Sequence, residues 1–173
     1  MSRTPTPNGK SPGGGTPAVV ALERAGVAFT VHEFAFEPGE LGYGKAAATA
    51  LGVDESRVFK TLLVETLAAA GPGHAVGIVP VSGTLSLKAM AHALGVKRAA
   101  MLDTAAAERL TGYVVGGISP IGQKKAARTI VDTSALTHST IFVSGGKRGL
   151  DIEIDPRDLV DVLDAITADI AAP

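Results

Sequence analysis

Apolar residues fall in short runs separated by glycine, proline and serine, and the period of each run predicts its element. Val19, Val20, Leu22 and Ala25 make a helical stripe. It lies between Thr16, an N-cap type followed by Pro17, and Gly26, a helix stop. Ala28 to Phe34 reads as a strand and Glu37 to Gly42 as a loop. Lys45 to Leu51 reads as a short helix closed by Gly52. Val58 to Val64 and Ala75 to Val81 are apolar enough to be buried strands, the second ending at Pro80 and Gly83. Ser86 to Leu94 predicts a helix closed by Gly95, and Arg98 to Leu102 a short strand. Asp103 caps a helix that runs to Leu110, with Gly112 after it. Thr129 to Val131 and Thr140 to Val143 read as strands. Leu150 to Ile154 alternates apolar with acidic residues, which predicts a half-exposed strand. Asp155-Pro156 opens a last amphipathic helix with Leu159, Val162, Leu163 and Ile166 on one side. There is no internal repeat. Strands and helices mix without strict alternation, so the fold class is α/β of the α+β kind: a mixed central sheet with flanking helices.

Composition narrows the picture. Residues 1–15 are polar and rich in Gly and Pro, which predicts a disordered tail. That leaves 16–173 as one domain, and with 46% apolar residues it has room for a core. The N-terminus lacks the apolar stretch of a signal peptide and no apolar run approaches a membrane span, so a cytoplasmic protein without a membrane partner is expected. The chain has no cysteine, which removes disulfides, thiolate metal sites and a cysteine nucleophile. The net charge of −1 does not announce a nucleic-acid binder, and DNA is not an expected partner. The charge is unevenly placed, however: segment 110–150 carries +4 and segment 151–173 carries −6. The basic part either meets an anionic partner or is a solvated face.

That basic part coincides with two glycine-rich segments, Gly112 to Lys125 and Ser144 to Gly149. Gly117 and Gly122 have the spacing of a phosphate loop, but Gln123 stands where that loop needs Lys, and Pro120 removes an amide donor. A cradle of amides for a carbonyl oxygen or oxyanion fits better, with a tight structural turn as the alternative. Lys60 lies in an apolar strand and shares a face with Val58, Leu62 and Val64. Either it snorkels to water from an edge strand, or it is partly desolvated and holds an anion or gives up its proton readily. His32, His74, His92 and His138 have no metal-ligand spacing, so no metal is expected, and no cofactor motif is present. Ser82, Ser119 and Ser144 lie near glycines, but none sits in a Gly-x-Ser-x-Gly elbow. Asp151 and Glu153 share a strand face that reads as solvated, although Asp151 borders the second glycine-rich segment. Aromatic residues are 4% of the chain and are not interleaved with basic ones, which argues against a stacking reader of single strands.

Four stretches then carry a resemblance: Val58-Phe59-Lys60-Thr61-Leu62, Val79-Pro80-Val81-Ser82-Gly83, Thr111 to Lys125, and Val143 to Asp151. In order and spacing they resemble the YbaK family, which is itself similar to the editing (insertion) domain of bacterial prolyl-tRNA synthetases. The resemblance spans Thr16 to Ile170 and implies a partly barrel-like sheet. It also implies an enzyme, a deacylase that clears cysteine from mischarged tRNA(Pro) in trans, because size alone discriminates poorly between such close amino acids. Its implied mechanism uses no protein nucleophile: the substrate thiol attacks its own ester and a cyclic thioester leaves. By motif position Lys60 and Gly116 are the implied catalytic residues, with Lys60 orienting the ester through the terminal ribose or phosphate. Phe34, Tyr43, Thr61, Ser144 and Asp151 are the implied substrate contacts. Phe34 stands where the family has a tyrosine, so a hydroxyl is lost, and alanine or another small residue is an alternative substrate. Lys124, Lys125, Lys147 and Arg148 are expected to meet the tRNA backbone, and prolyl-tRNA synthetase is a possible partner. A non-catalytic RNA- or synthetase-binding module is the reading from another class.

Overall fold

The computed structural model describes residues 15–35 and 42–173. Its first half runs α1 (Pro17–Ala25), β1 (Thr30–Glu33), α2 (Tyr43–Leu51), β2 (Phe59–Ala68), β3 (Gly71–Pro80), β4 (Thr84–Leu85) and α3 (Leu87–Leu94). The second half runs β5 (Arg98–Met101), α4 (Thr104–Thr111), β6 (Arg128–Asp132), β7 (Ile141–Lys147), β8 (Leu150–Ile154), α5 (Pro156–Leu163), β9 (Ile166–Ala168) and β10 (Ala171–Ala172). Helix starts follow local chemistry. The side chains of Thr16, Ser86, Asp103 and Asp155 accept hydrogen bonds from first-turn amides. Gly26, Gly52, Gly95 and Gly112 end the first four helices. The expected tail, residues 1–15, lies outside the described residues but for Gly15, and so does the expected loop from Glu37 as far as Leu41.

A mixed sheet runs in the order β5-β2-β3-β6-β9. Its β2–β3 hairpin and the β2–β5 pair are antiparallel, while β3–β6 and β6–β9 are parallel. A second, antiparallel sheet runs β1-β8-β7. A parallel bridge between Val58 and Phe142 joins the two sheets. The main core lies between them: Leu22 of α1, Phe59 and Leu63 of β2, Ile78 of β3, Val143 of β7, Ile152 of β8 and Leu159 of α5. On the other face of the large sheet, Val64, Val79 and Ile130 pack against Met90 and Leu94 of α3. Under α2, Ala48 meets Val58, Val81 and Phe142.

One detail of this topology positions the site. β5 pairs with β2 over Val64 to Leu67, so the first half of β2 has no β5 neighbour on that edge. Side chains from both faces of β2 can therefore reach one space beside the strand.

Two expectations are corrected. The last helix stops at Leu163 because Asp164 turns to a left-handed φ of 49°, and Ile166 is a strand residue that is 46% exposed. β8 is not half-exposed: it is the central strand of its sheet, Leu150, Ile152 and Ile154 enter the main core, and Asp151 on the opposite face is buried too. Lys60 shares a face with Leu62 and Val64, and with Val58, which directly precedes the strand in extended conformation and packs under α2. The β2–β3 hairpin also reaches further than its apolar runs indicate, with pairs continuing to Ala68 and Gly71.

Candidate active site

Beside the open edge of β2 lies a cavity of about 340 Å³, lined by six consecutive residues from Val58 to Leu63. A single strand face could not supply that run. All seven of the expected catalytic and substrate-contact positions border this space: Lys60 and Thr61 from β2, Tyr43 at the start of α2, Phe34 just past β1, Gly116 from the first glycine-rich segment, Ser144 from β7 and Asp151 from β8. Their neighbours in the wall are mainly apolar, including Ala47, Val58, Phe59, Leu102, Ala107 and Ile118. Polar groups in such a wall interact strongly with whatever enters.

Three of these polar groups have no partner among the described residues. Lys60 makes no ion pair with the described residues, and its ammonium is easier to deprotonate than usual, first through burial and then through the positive charge of Lys45. Asp151 is 7% exposed, and burial alone pushes its carboxyl up to about 7. The buried Thr61 hydroxyl has no hydrogen-bond partner among the described residues. A buried orphan of this kind costs about 1–3 kcal/mol unless a ligand satisfies it.

The first glycine-rich segment is held by its own hydrogen bonds. Tyr113 Oη donates to the Ile121 carbonyl at 2.6 Å, and burial raises that phenol to about 12. The Gln123 amide donates to the Ser119 carbonyl at 3.0 Å, which gives a role to the residue that spoils the phosphate-loop pattern. The amide of Val115 donates to Glu108 Oε2 at 2.8 Å, that of Gly117 to the Val114 carbonyl at 2.8 Å, and that of Ile121 to Ser119 Oγ at 3.2 Å. The expected wall of free amides is thus largely consumed by the turn itself. The Gly116 amide has no partner among the described residues, and Gly116 borders the cavity.

Gly116 is irreplaceable on two grounds. Its φ is +89°, and a Cβ there would lie 2.5 Å from ring carbons of Tyr43. Gly116→Ala is expected to displace the Tyr43 ring and the loop, lowering the midpoint of thermal unfolding by the equivalent of about 1–3 kcal/mol, which calorimetry checks.

The cations fall into two groups. Lys124, Lys125 and Lys147 are exposed and sit outside the cavity wall. The backbones of Lys124 and Lys125 are pinned to the Thr111 and Leu110 carbonyls. Arg148 is exposed as well, but its side chain is engaged: Nε donates to the Val115 carbonyl at 3.0 Å, and the guanidinium lies 5.1 Å from the Tyr43 ring centroid. His32 is structural in its contacts, with Nε2 at 2.9 Å from Glu153 Oε1. Glu153 also holds Arg57 and Thr140, which removes it from the solvated face expected for it.

Sequence reasoning passed over Gly44 and the α4 contribution of Thr104 and Ala107. Gly44 carried a usable signal, the Gly42-Tyr43-Gly44 spacing; a Cβ there would lie 2.4 Å from Val81 Cγ1. Lys45 was missed because an exposed helix lysine is unremarkable until Lys60 is placed near it.

A family model for the aminoacyl-tRNA editing domain matches residues 43–162, a span that includes every cavity position named above except Phe34. The chain belongs to this family. Over 155 residues it is 36% identical to EbsC of Enterococcus faecalis, a candidate Cys-tRNA(Pro)/Cys-tRNA(Cys) deacylase, covering 90% of this chain and 92% of that one. Among solved structures it is similar to hypothetical protein APE2540, with a TM-score of 0.78 and 27% identity over 91% of this chain and 100% of that one. It also shares the fold of a candidate trans-editing enzyme for prolyl-tRNA synthetase, with a TM-score of 0.74 and 18% identity over 92% of this chain and 100% of that one. Among the described residues of this editing-domain protein, no helix is long and apolar enough to cross a membrane.

Proposed function

We propose that this aminoacyl-tRNA deacylase clears cysteine from mischarged Cys-tRNA(Pro) in trans. The observation that carries this reading is a set of unpartnered polar groups around one apolar cavity: the Lys60 ammonium, the Asp151 carboxyl, the Thr61 hydroxyl and the Gly116 amide. An aminoacyl ester of a ribose complements them. Its α-ammonium pairs with ionised Asp151, its carbonyl oxygen meets the Gly116 amide, and its ribose oxygens or terminal phosphate meet Lys60. Phe34, Tyr43 and Ser144 close around the side chain.

The chemistry needs no protein nucleophile. The substrate's thiolate attacks its own ester carbonyl, and negative charge moves onto the carbonyl oxygen. The bond from carbonyl carbon to the ribose 3′ oxygen then breaks. That oxygen leaves as the tRNA hydroxyl after taking a proton, and the amino acid departs as a cyclic thioester. The protein holds the ester bent for attack and stabilises the oxyanion. A panel of Cys, Ala and Ser esters on tRNA(Pro) tests the substrate assignment. Cysteine is expected to be released fastest, and alanine or serine released as fast would transfer the assignment to small amino acids in general, which Phe34 in place of a tyrosine makes the specific rival.

Lys124, Lys125 and Lys147 supply the contact with the acceptor-stem backbone. Reversing all three to Glu is expected to weaken tRNA binding and to flatten its log–log salt dependence by about 2–3. Unchanged affinity in a salt-titrated binding assay would refute that role.

A further inference from the structure

Arg148 stands apart from the other exposed cations because both faces of its side chain's chemistry are already in use. Its Nε–H donates to the Val115 carbonyl at 3.0 Å, and its guanidinium lies over the Tyr43 ring at 5.1 Å. The Tyr43 ring in turn lies against Gly116, where a Cβ would lie 2.5 Å from it. Next to these, a Cβ on Gly117 would lie 2.8 Å from Lys147 Cα, so the first glycine-rich segment and the β7–β8 turn touch backbone to backbone. The Arg148 side chain therefore ties that turn, the first glycine-rich segment and the start of α2 together at the cavity wall.

The consequence lies in one peptide plane. The Val115 carbonyl and the Gly116 N–H belong to the same peptide unit, which is trans like every other described peptide. In a trans unit the C=O and N–H point in opposite directions, so fixing one aims the other. The Val115 amide on the preceding plane is fixed as well, by Glu108 Oε2 at 2.8 Å. A hydrogen bond into the carbonyl also polarises the unit and makes its N–H a stronger donor.

We propose that Arg148 is a positioning residue: it aims and polarises the Gly116 amide toward the ester carbonyl, and it is not a tRNA phosphate contact. This rests on the reading of the cavity as an aminoacyl-ester site. Lysine cannot replace it, because a point-charge ammonium lacks the flat face for Tyr43 and the separate Nε donor for Val115.

The test uses the full-length protein with Arg148→Ala and Arg148→Lys on aminoacylated tRNA, reading kcat, KM and the salt dependence of tRNA binding. Arg148 is exposed, so both variants are expected to fold, which thermal unfolding checks. Both should lose kcat by on the order of 10- to 100-fold with KM and the salt slope unchanged. Wild-type kcat in the lysine variant, or a raised KM with a salt slope flatter by about 1, would show a phosphate contact and overturn the proposal. Unchanged kinetics in both variants would overturn it as well. Failure of the wild-type protein to deacylate would instead overturn the reading of the site, which makes the two failures distinguishable.

Discussion

Lys60→Ala is expected to abolish deacylation, by roughly 100-fold or more in kcat/KM, without destabilising the protein. The two halves of that expectation come from the same observation. Lys60 lines an apolar cavity, makes no ion pair with the described residues, and has its proton loosened by burial and by Lys45. A charge kept in such a place contributes little to the fold and is free to act on a ligand. Lys60→Arg separates the possible roles: a positive charge restored with different reach should recover binding before it recovers turnover. A thermal midpoint that falls by several degrees in Lys60→Ala, or activity within threefold of wild type, would contradict this account of the residue.

Asp151→Asn should have an opposite pair of effects, loss of activity with a gain in stability. The Asp151 carboxyl is raised from 3.8 to about 7 by burial. Its folded value lies above its unfolded one, so as pH rises the unfolded state gives up the proton first. Stability is therefore full below about 4 and falls until the folded carboxyl ionises near 7. At pH 8 the amide avoids the buried charge, and the variant is expected to be more stable by about 1–3 kcal/mol. At pH 3 the difference should vanish. Activity follows the charged form: the wild type should gain kcat/KM through pH 7 as the carboxylate becomes able to hold the α-ammonium, and Asp151→Asn should lack that inflection. Unfolding curves at the two pH values and a pH–rate profile check these outcomes, and a variant less stable than wild type at pH 8 would contradict them.

The helix caps at Thr16, Ser86, Asp103 and Asp155 were legible because capping is a property of neighbouring residues. The buried strands carrying Lys60 and Ile78 were legible because their apolar density exceeds what a surface strand needs. Asp151 was not legible as a buried group. Its alternation with Leu150 and Ile152 is that of a solvated face, and burial depends on β1 pairing alongside and on Phe34 and Gly116 closing the cavity above it. Arg148 likewise reads as one more cation of a basic segment until Tyr43, distant in sequence, is brought beneath it. The seven cavity positions came from the order of motifs and not from periodicity, because Val58 and the first five β2 residues all bordering one space is a consequence of where β5 starts to pair. The amide wall expected of the glycine-rich segment fell short for a local reason: Glu108, Ser119 and the Val114 carbonyl take up amides that were counted as free.

The most direct measurement is the time course of charge on purified Cys-tRNA(Pro) with this protein added and no synthetase present. The account predicts loss of cysteine at a rate proportional to added protein, abolished in Lys60→Ala, with a thiol-blocked cysteinyl ester left intact. Charge that persists as in the protein-free control, or that is lost equally with Lys60→Ala, would contradict it.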